Sequence, residues 1–265
     1  MRFDAIDHRP YPLPSVPWAM YMRWEDLLFA HWPVKPDALR PLIPSGLELD
    51  TFDGDAWLGV VPFRMSGIRG RCAPRVPGAH AFAELNLRTY VKTGGKPGVW
   101  FFSLDAEHRL AVRVARLTFG LPYFDAEMSC KPDGDGIAYH SRRTHRDAEP
   151  AGYRGRYRPT GPAFRTRPGD LDHWLTERYC LYAAKPGGRV RRGDIHHAPW
   201  PIQPAEAEFE VNTMTQQIGV TLPDTPPLLH FARSIEVVAW LPTAKLGAAD
   251  EQAQGQSARR PITNG

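Results

Sequence analysis

Alternating apolar and polar residues predict that most of this chain is β-strand. The clearest case is Glu84–Val91, where the apolar residues recur at every second position, which is the period of a strand. Ala56–Met65 is a second apolar run, but it contains Pro62. Proline cannot donate a backbone hydrogen bond, so we expect a sheet edge or a bulge there. The other predicted strands are Val99–Leu104, Tyr179–Tyr182, Arg189–Ile195 and His230–Leu241.

Three short helices are predicted between these strands. The best defined begins at Asp105, which can cap its first turn, and ends at Gly120. Leu110, Val114 and Leu117 would form its apolar stripe, since they are spaced i, i+4, i+7. The remaining two are Lys35–Arg40, which Pro36 opens, and Asp170–Glu177.

Proline and glycine divide the chain into short elements. The sequence has 27 prolines and 23 glycines, a density typical of strands joined by turns. Thr93–Gly98 and Lys185–Gly188 are the predicted hairpin loops. The fold class is therefore α+β, with a curled, largely antiparallel sheet in a single domain over residues 1–246. Residues 247–265 lack large apolar side chains almost entirely, so we expect a disordered tail.

Composition and charge exclude several classes of protein. A hydrophobic share of 42% and a charged share of 23% are ordinary for a globular chain of 265 residues. The net charge is +4, but the arginines are scattered and no nucleic-acid-binding motif accompanies them, so no nucleic-acid partner is expected. No apolar run reaches the ~18–20 residues of a membrane span, and Met1–His8 has no secretory pattern. We expect a soluble cytoplasmic protein.

Metal and cofactor motifs are not found in the sequence. Cys72, Cys130 and Cys180 are widely spaced and form no C-x-x-C pair, so reduced thiols are expected. His196 and His197 would point to opposite faces of a strand and cannot easily share an ion. The phosphate-binding loop and the dinucleotide fingerprint are absent too. We therefore expect no metal and no cofactor. A sheet edge at Pro62 would leave a homo-oligomer possible.

The polar face of the strand around Glu84 is the first candidate site. Glu84, Asn86 and Arg88 follow one another in steps of two residues, about 7 Å apart, on one face. Facing a cavity, they would offer an acid–base group, an amide and an anion-binding guanidinium. Facing solvent, they would be the ordinary polar side of an antiparallel sheet. The second candidate is the turn Phe119–Phe124, where Gly120 and Pro122 fix the backbone; it equally suits an aromatic core behind a helix end.

Eight longer segments of the chain together follow the pattern of a known family. They are His31–Val34, Leu39–Asp50, Ala56–Phe63, Glu84–Val91, Phe101–Asp105, Leu121–Tyr123, Leu175–Tyr179 and His196–Pro201. These segments resemble the YqjF-like family (domain of unknown function 2071), which is more distantly similar to acetoacetate decarboxylases. The resemblance extends from about Trp24 to Trp240 and implies one domain in which a curled antiparallel sheet forms a cone or barrel around an internal pocket.

The resemblance also implies roles for individual residues. Glu84 falls where the decarboxylases carry an acid–base glutamate, and Arg116 matches an arginine of their helix. Tyr123 stands in the place of the lysine that forms their substrate imine. A phenol cannot form an imine, so decarboxylation of a β-keto acid by that route is not expected. Leu117 replaces a helix glutamate of those enzymes, a further departure.

The resulting hypothesis is a pocket for a small organic acid or carbonyl compound. Arg88 would hold an anionic group with help from Asn86, Tyr123 would hydrogen-bond a carbonyl oxygen, and Glu84 would be the acid–base group. Arg116 is a further binding candidate that could equally anchor its helix to the sheet. Burial would raise the pKa of Glu84 and Arg88 would lower it. Two classes remain open: a cofactor-free enzyme of lyase or isomerase type, and a non-catalytic ligand-binding protein.

Overall fold

Hydrogen-bond pairing joins the strands of the described residues into one curled, mainly antiparallel sheet. The computed structural model describes residues 3, 5–72, 81–184 and 190–243. The predicted loop Lys185–Gly188 and the predicted tail 247–265 lie outside these ranges. The strands are β1 Met20–Val34, β2 Glu48–Leu49, β3 Ala56–Gly70, β4 Ala81–Thr93, β5 Lys96–Ala106, β6 Tyr123–Asp133, β7 Gly136–Arg143, β8 Gly152–Pro159, β9 Cys180–Ala184, β10 Val190–His196, β11 Gln203–Asn212 and β12 Leu228–Ala239.

Seven strands close on themselves in the order β12-β1-β3-β4-β5-β9-β10. The closing contact is antiparallel pairing of β10 with β12, at Ile195↔Ala239 and His196↔Val238. The remaining long strands run from β5 to β12 in the order β6-β7-β8-β11. Strands β12, β1, β3, β4 and β5 are therefore shared by both halves of the sheet, and both of their faces are covered.

Strict alternation along the shared strands sends side chains to two separate cores. On β4, Leu85 and Leu87 are fully buried in a cluster with side chains of β6, β7 and β8. On β1 and β3, Phe29 and Phe63 point the other way, into a cluster with Trp200 and Val112. This second cluster surrounds the interior of the seven-strand ring. Because β4 is buried on both faces, its polar residues cannot face solvent as they would in an ordinary half-exposed sheet.

Pro62 lies in the middle of the sheet beside a bulge. Strand β3 pairs with β4 at Pro62↔Leu85 and with β1 on its other side. The β1–β3 register shifts near Pro62, between the pairs formed by Glu25 and Ala30, and Asp26 has a φ of 51° there. The predicted bulge is confirmed, since the extra residue lies opposite the proline that cannot donate a hydrogen bond. The predicted edge is wrong, and it offers no support for a dimer.

The helices are α1 Pro36–Leu39, α2 Arg109–Phe119 and α3 Leu171–Thr176, with 3-10 turns at Arg40–Leu42 and Gln216–Ile218. The positions of α1 and α3 confirm the sequence prediction. The predicted cap of α2 is wrong, because Asp105 lies inside β5, fully buried, and pairs with Arg143 at 2.6 Å. Among the described residues, no helix is long and apolar enough to cross a membrane.

The predicted apolar stripe of α2 is wrong at two of its three positions. Leu110 and Leu117 are 57% and 80% exposed, and Val112 is the residue that packs into the core. The side chain of Val114, the third member of the stripe, lies outside the described part of the chain. Periodicity identified the helix but not the residue that it buries. The hairpin prediction is confirmed: β4 and β5 pair from Thr93↔Lys96 around Gly94 and Gly95, whose φ values are 55° and 73°, as a tight two-residue turn requires.

Candidate functional site

A cavity of about 380 Å³ occupies the interior of the seven-strand ring. Aromatic and aliphatic side chains form most of its wall, including Trp24, Phe29, Phe63 and Trp200. Three polar residues of β4 and the hydroxyl-bearing Tyr123 of β6 also line it: Glu84, Asn86, Arg88 and Tyr123. The alternation of β4 thus places the polar face predicted from sequence inside the ring, not in solvent.

Glu84 is a buried carboxyl group held by one phenol. Its side chain is 2% exposed, and the Tyr123 hydroxyl donates a hydrogen bond of 3.1 Å to its Oε2. Burial raises the pKa of Glu84 to about 8, and the hydrogen bond from Tyr123 lowers it by a smaller amount. The lowering comes from Tyr123, not from Arg88 as the sequence suggested. At pH 7 the carboxyl group is therefore mostly protonated and can donate a proton.

Arg88 brings a positive charge that no carboxylate among the described residues neutralises. Its Nη2 donates to the hydroxyl of Tyr90 at 3.3 Å, and its guanidinium lies 5.1 Å from the ring centre of Phe29. Its buried Nε has no hydrogen-bond partner. Asn86 is 5% exposed, and its Oδ1 also lacks a partner. Buried polar atoms are normally satisfied, so these two atoms indicate where a ligand would bind.

Arg178 is a cavity residue that the sequence reasoning did not select. It is buried, donates to Asp50 at 2.7 Å and to the Trp174 carbonyl at 2.6 Å, and leaves its Nη2 without a partner. Its guanidinium lies 4.8 Å from the ring of Tyr90, the ring that Arg88 also contacts. Arg178 occurs in one of the segments that resemble the family, but nothing local in the sequence distinguishes it from the other arginines.

His197 and Trp200 also line the cavity. Their common neighbour is the buried carboxylate of Glu177, which accepts a hydrogen bond from the Trp200 backbone N–H at 2.7 Å and another from the hydroxyl of Tyr179. Burial lowers the pKa of His197, so this imidazole is neutral near pH 7. Nothing local in the sequence predicts that His197 and Trp200 line a pocket.

The two adjacent histidines have different partners. His196 stacks on His8 and lies 3.2 Å from Nη1 of Arg9, whereas His197 stacks on Tyr179. Burial, reinforced by Arg9, lowers the pKa of His196 to about 4. Within the described residues, no group of three or more His, Cys, Asp and Glu side chains is arranged to hold a metal ion.

Arg116 lies outside the cavity wall. It is exposed, and its Nη1 donates to the backbone carbonyl of Tyr123 at 2.7 Å and lies 3.2 Å from Nε2 of His145. These contacts correspond to the anchoring alternative, because they fix α2 to the turn that carries Tyr123.

Sequence comparison finds a family model and a relative that each match most of the chain. A family model described as an uncharacterized conserved protein, DUF2071, matches residues 21–236. The uncharacterized protein YqjF of Bacillus subtilis (strain 168) is 50% identical over 237 residues, which is 89% of this chain and 97% of that protein.

Solved structures with a similar fold include a biosynthesis enzyme and an acetoacetate decarboxylase. The enduracididine biosynthesis enzyme MppR, complexed with the condensation product of pyruvate and imidazole 4-carboxaldehyde, has a TM-score of 0.59 at 13% identity over 86% of this chain and 89% of its own. Acetoacetate decarboxylase from Legionella pneumophila has a TM-score of 0.58 at 14% identity over 89% of this chain and 92% of its own. At this identity the likeness is one of fold: the curled sheet is acetoacetate decarboxylase-like.

Proposed function

The chain belongs to the DUF2071 family, and from that premise we propose that it binds a small organic acid or carbonyl compound in the cavity of its curled sheet. One observation carries this proposal: a buried, mostly protonated Glu84 and an Arg88 without a carboxylate partner among the described residues line the same apolar cavity. Arg88 would bind the carboxylate of the ligand, since a half-buried guanidinium without a counterion among the described residues favours an anion.

The remaining polar groups suit a carbonyl. The neutral carboxyl of Glu84 and the hydroxyl of Tyr123 can both donate to a carbonyl oxygen, and Asn86 can pair with either end of the ligand. Glu84 would then be the acid–base group, because its pKa of about 8 lies near neutral pH. The MppR structure, complexed with a condensation product of pyruvate, supports the proposal to the extent that a similar fold holds a pyruvate-derived compound in that protein.

An imine route receives no support from the cavity. No lysine occurs among the described residues that line it, and Lys92 lies outside, paired with Glu48 at 3.0 Å. Tyr123 would therefore replace an imine-forming lysine with a hydrogen-bond donor. Reduction with borohydride in the presence of pyruvate or acetoacetate should leave the mass of the protein unchanged. A mass increase, mapped by peptide analysis to Lys185 or another lysine, would contradict this part of the proposal.

Ligand binding is tested by thermal shift with pyruvate, acetoacetate and butanoate, because a ligand that binds only the folded state raises the melting temperature. Arg88→Ala should weaken binding by at least about tenfold, the value of one lost charge-assisted hydrogen bond. Arg154→Ala is the matched control, since Arg154 is an exposed strand arginine that pairs with Glu210 and does not line the cavity. If no acid stabilises the wild type, or if both arginine variants behave alike, the proposal is wrong.

Catalysis is tested separately from binding. For any acid that binds, NMR can follow isotope exchange at the carbon next to the carbonyl or the appearance of product. Turnover that is lost in Glu84→Gln, with binding retained, would assign acid–base chemistry to Glu84. The exposed Glu208 provides the control variant Glu208→Gln. Binding without turnover in the wild type would assign the second class, a non-catalytic ligand-binding protein.

A further inference from the structure

We infer that the ligand is amphipathic: a carboxylic or keto acid whose apolar body extends from Arg88 to the mouth of the cavity. This inference rests on the proposed function, because it takes Arg88 as the site of the carboxylate. It adds the chemical class of the remainder of the ligand, which the polar residues do not specify.

The first observation is that β4 and the two strands beside it contribute different kinds of side chain to the cavity. The polar lining includes Glu84, Asn86 and Arg88 of β4, together with Arg178, whose guanidinium contacts the same Tyr90 ring as that of Arg88. Strand β1 contributes only apolar side chains, and β3 contributes apolar ones until Arg69 and Gly70 at its end. Met22, Trp24, Phe29, Val61, Phe63 and Met65 are among these apolar residues. A ligand that fills this space must present a polar end to β4 and Arg178 and an apolar surface to β1 and β3.

The second observation is the composition of the mouth. Leu110 of α2 and Leu241, just beyond β12, both line the cavity while being 57% and 63% exposed. The same cavity is lined by Asn86, which is 5% exposed, so it runs from the buried polar strand to these leucines. Single exposed leucines are common on protein surfaces. Two that continue an apolar wall outward indicate a surface that a bound apolar chain would cover.

Size also favours a longer ligand. At roughly 30 Å³ for each water-sized group, a cavity of about 380 Å³ holds on the order of a dozen non-hydrogen atoms. A short keto acid would fill about half of this space and leave the apolar wall in contact with water. An acid with a medium-length alkyl chain or a comparable apolar body would bury that wall.

The test is a series of straight-chain acids from butanoate to decanoate, titrated calorimetrically below their micelle concentrations. Each added methylene should tighten binding about fourfold, the value expected for burying one such group, until the chain reaches the mouth. An affinity that is the same for butanoate and decanoate would overturn the inference and leave the acid-binding proposal standing. If 1-decanol binds as tightly as decanoate, Arg88 is not the site of the carboxylate and the proposed function is wrong in that respect. The inference that the ligand has a long apolar body would then stand.

Variants at the mouth give a second test that does not disturb the core. Leu110→Ser and Leu241→Ser should weaken decanoate at least threefold and leave butanoate unchanged, because only the longer chain reaches them. Leu117→Ser is the control: Leu117 lies on the same helix and is 80% exposed, but it does not line the cavity. Equal effects on both acids, or none on decanoate, would show that the apolar body does not extend to this opening.

Discussion

The hydroxyl group of Tyr123 lies 3.1 Å from Oε2 of Glu84, although the two residues are 39 positions apart in the chain. The contact joins the turn after α2 to the central strand β4. The carboxyl group lies in an apolar cavity, where burial raises its pKa and this hydrogen bond lowers it by a smaller amount. Such an environment favours the protonated acid, and the first two predictions follow from it.

We predict that Glu84 makes the protein less stable as pH rises towards 8. The pKa of Glu84 is about 8 in the folded state, whereas an exposed glutamate has a pKa near 4.3. Between these values the folded state holds a proton that the unfolded state has released. The free energy of unfolding therefore falls with pH, by at most about 1.4 kcal/mol per pH unit for one group.

Urea unfolding between pH 6.5 and 8 measures this slope, since Asp105, with a pKa raised to about 6 by burial, contributes mainly below that window. Glu84→Gln should remove the component of the slope that Glu84 supplies. Glu208→Gln, at an exposed position, should retain the wild-type slope. If the slope of Glu84→Gln equals that of the wild type, Glu84 titrates at an ordinary pH.

Replacing Tyr123 by phenylalanine should raise the pKa of Glu84 further. The hydrogen bond from Tyr123 favours the ionised carboxylate, so its removal leaves burial unopposed. Infrared spectroscopy of the protonated carboxyl group, followed across pH, should give a midpoint above the wild-type value. Tyr182→Phe is the control, since the Tyr182 hydroxyl donates instead to the carbonyl of Lys96. A midpoint in Tyr123→Phe that is equal to or below the wild-type value would contradict the assignment.

The buried ion pair between Arg143 and Asp105 should stabilise the protein far more than the exposed ion pair between Arg142 and Glu127. Its two side chains are 2% and 0% exposed, and Arg143→Ala would leave Asp105 buried without a counterion, at a cost of roughly 3–5 kcal/mol. Arg142 pairs with Glu127, and both of those side chains are 63% exposed. Arg142→Ala should therefore cost less than about 1 kcal/mol.

Chemical denaturation at pH 7 compares these two arginine variants. The loss in Arg143→Ala should shrink at pH 5, because Asp105 can then take up a proton and no longer buries a charge. Equal losses in the two variants, or a loss in Arg143→Ala that grows on acidification, would disprove this account of the pair.

A methyl group at position 59 should displace Arg88. A Cβ on Gly59 would lie 3.1 Å from the ring of His31 and 3.2 Å from Cγ of Arg88, so both side chains would have to shift. Overpacking of this kind costs roughly 1–3 kcal/mol. Gly59→Ala should also reduce the rise in melting temperature that an acid produces. At Gly46 a Cβ would meet nothing within 4 Å, and Gly46→Ala should keep that rise in full.

The sequence by itself determined the elements that depend only on a few neighbouring residues. The alternation in β4, the glycine turn between β4 and β5, the proline that opens α1 and the bulge at Pro62 are each set by a few neighbouring residues. The same pattern placed Glu84, Asn86 and Arg88 on one face of a strand, because side chains of a strand alternate whatever surrounds it.

Tertiary structure decided what those elements face. Whether the polar side of β4 meets solvent or a cavity depends on closure of the ring through β10 and β12, a contact between residues distant in sequence. Asp105 has the residue type of a helix cap, but pairing of β5 with β6 extends the strand past it, and Arg143 satisfies its charge. Arg178 precedes β9, which pairs with β5, and contacts to Asp50 and Trp174 hold its side chain at the cavity. Local sequence thus fixed which side chains share a strand face, whereas long-range strand pairing fixed which faces enclose the cavity.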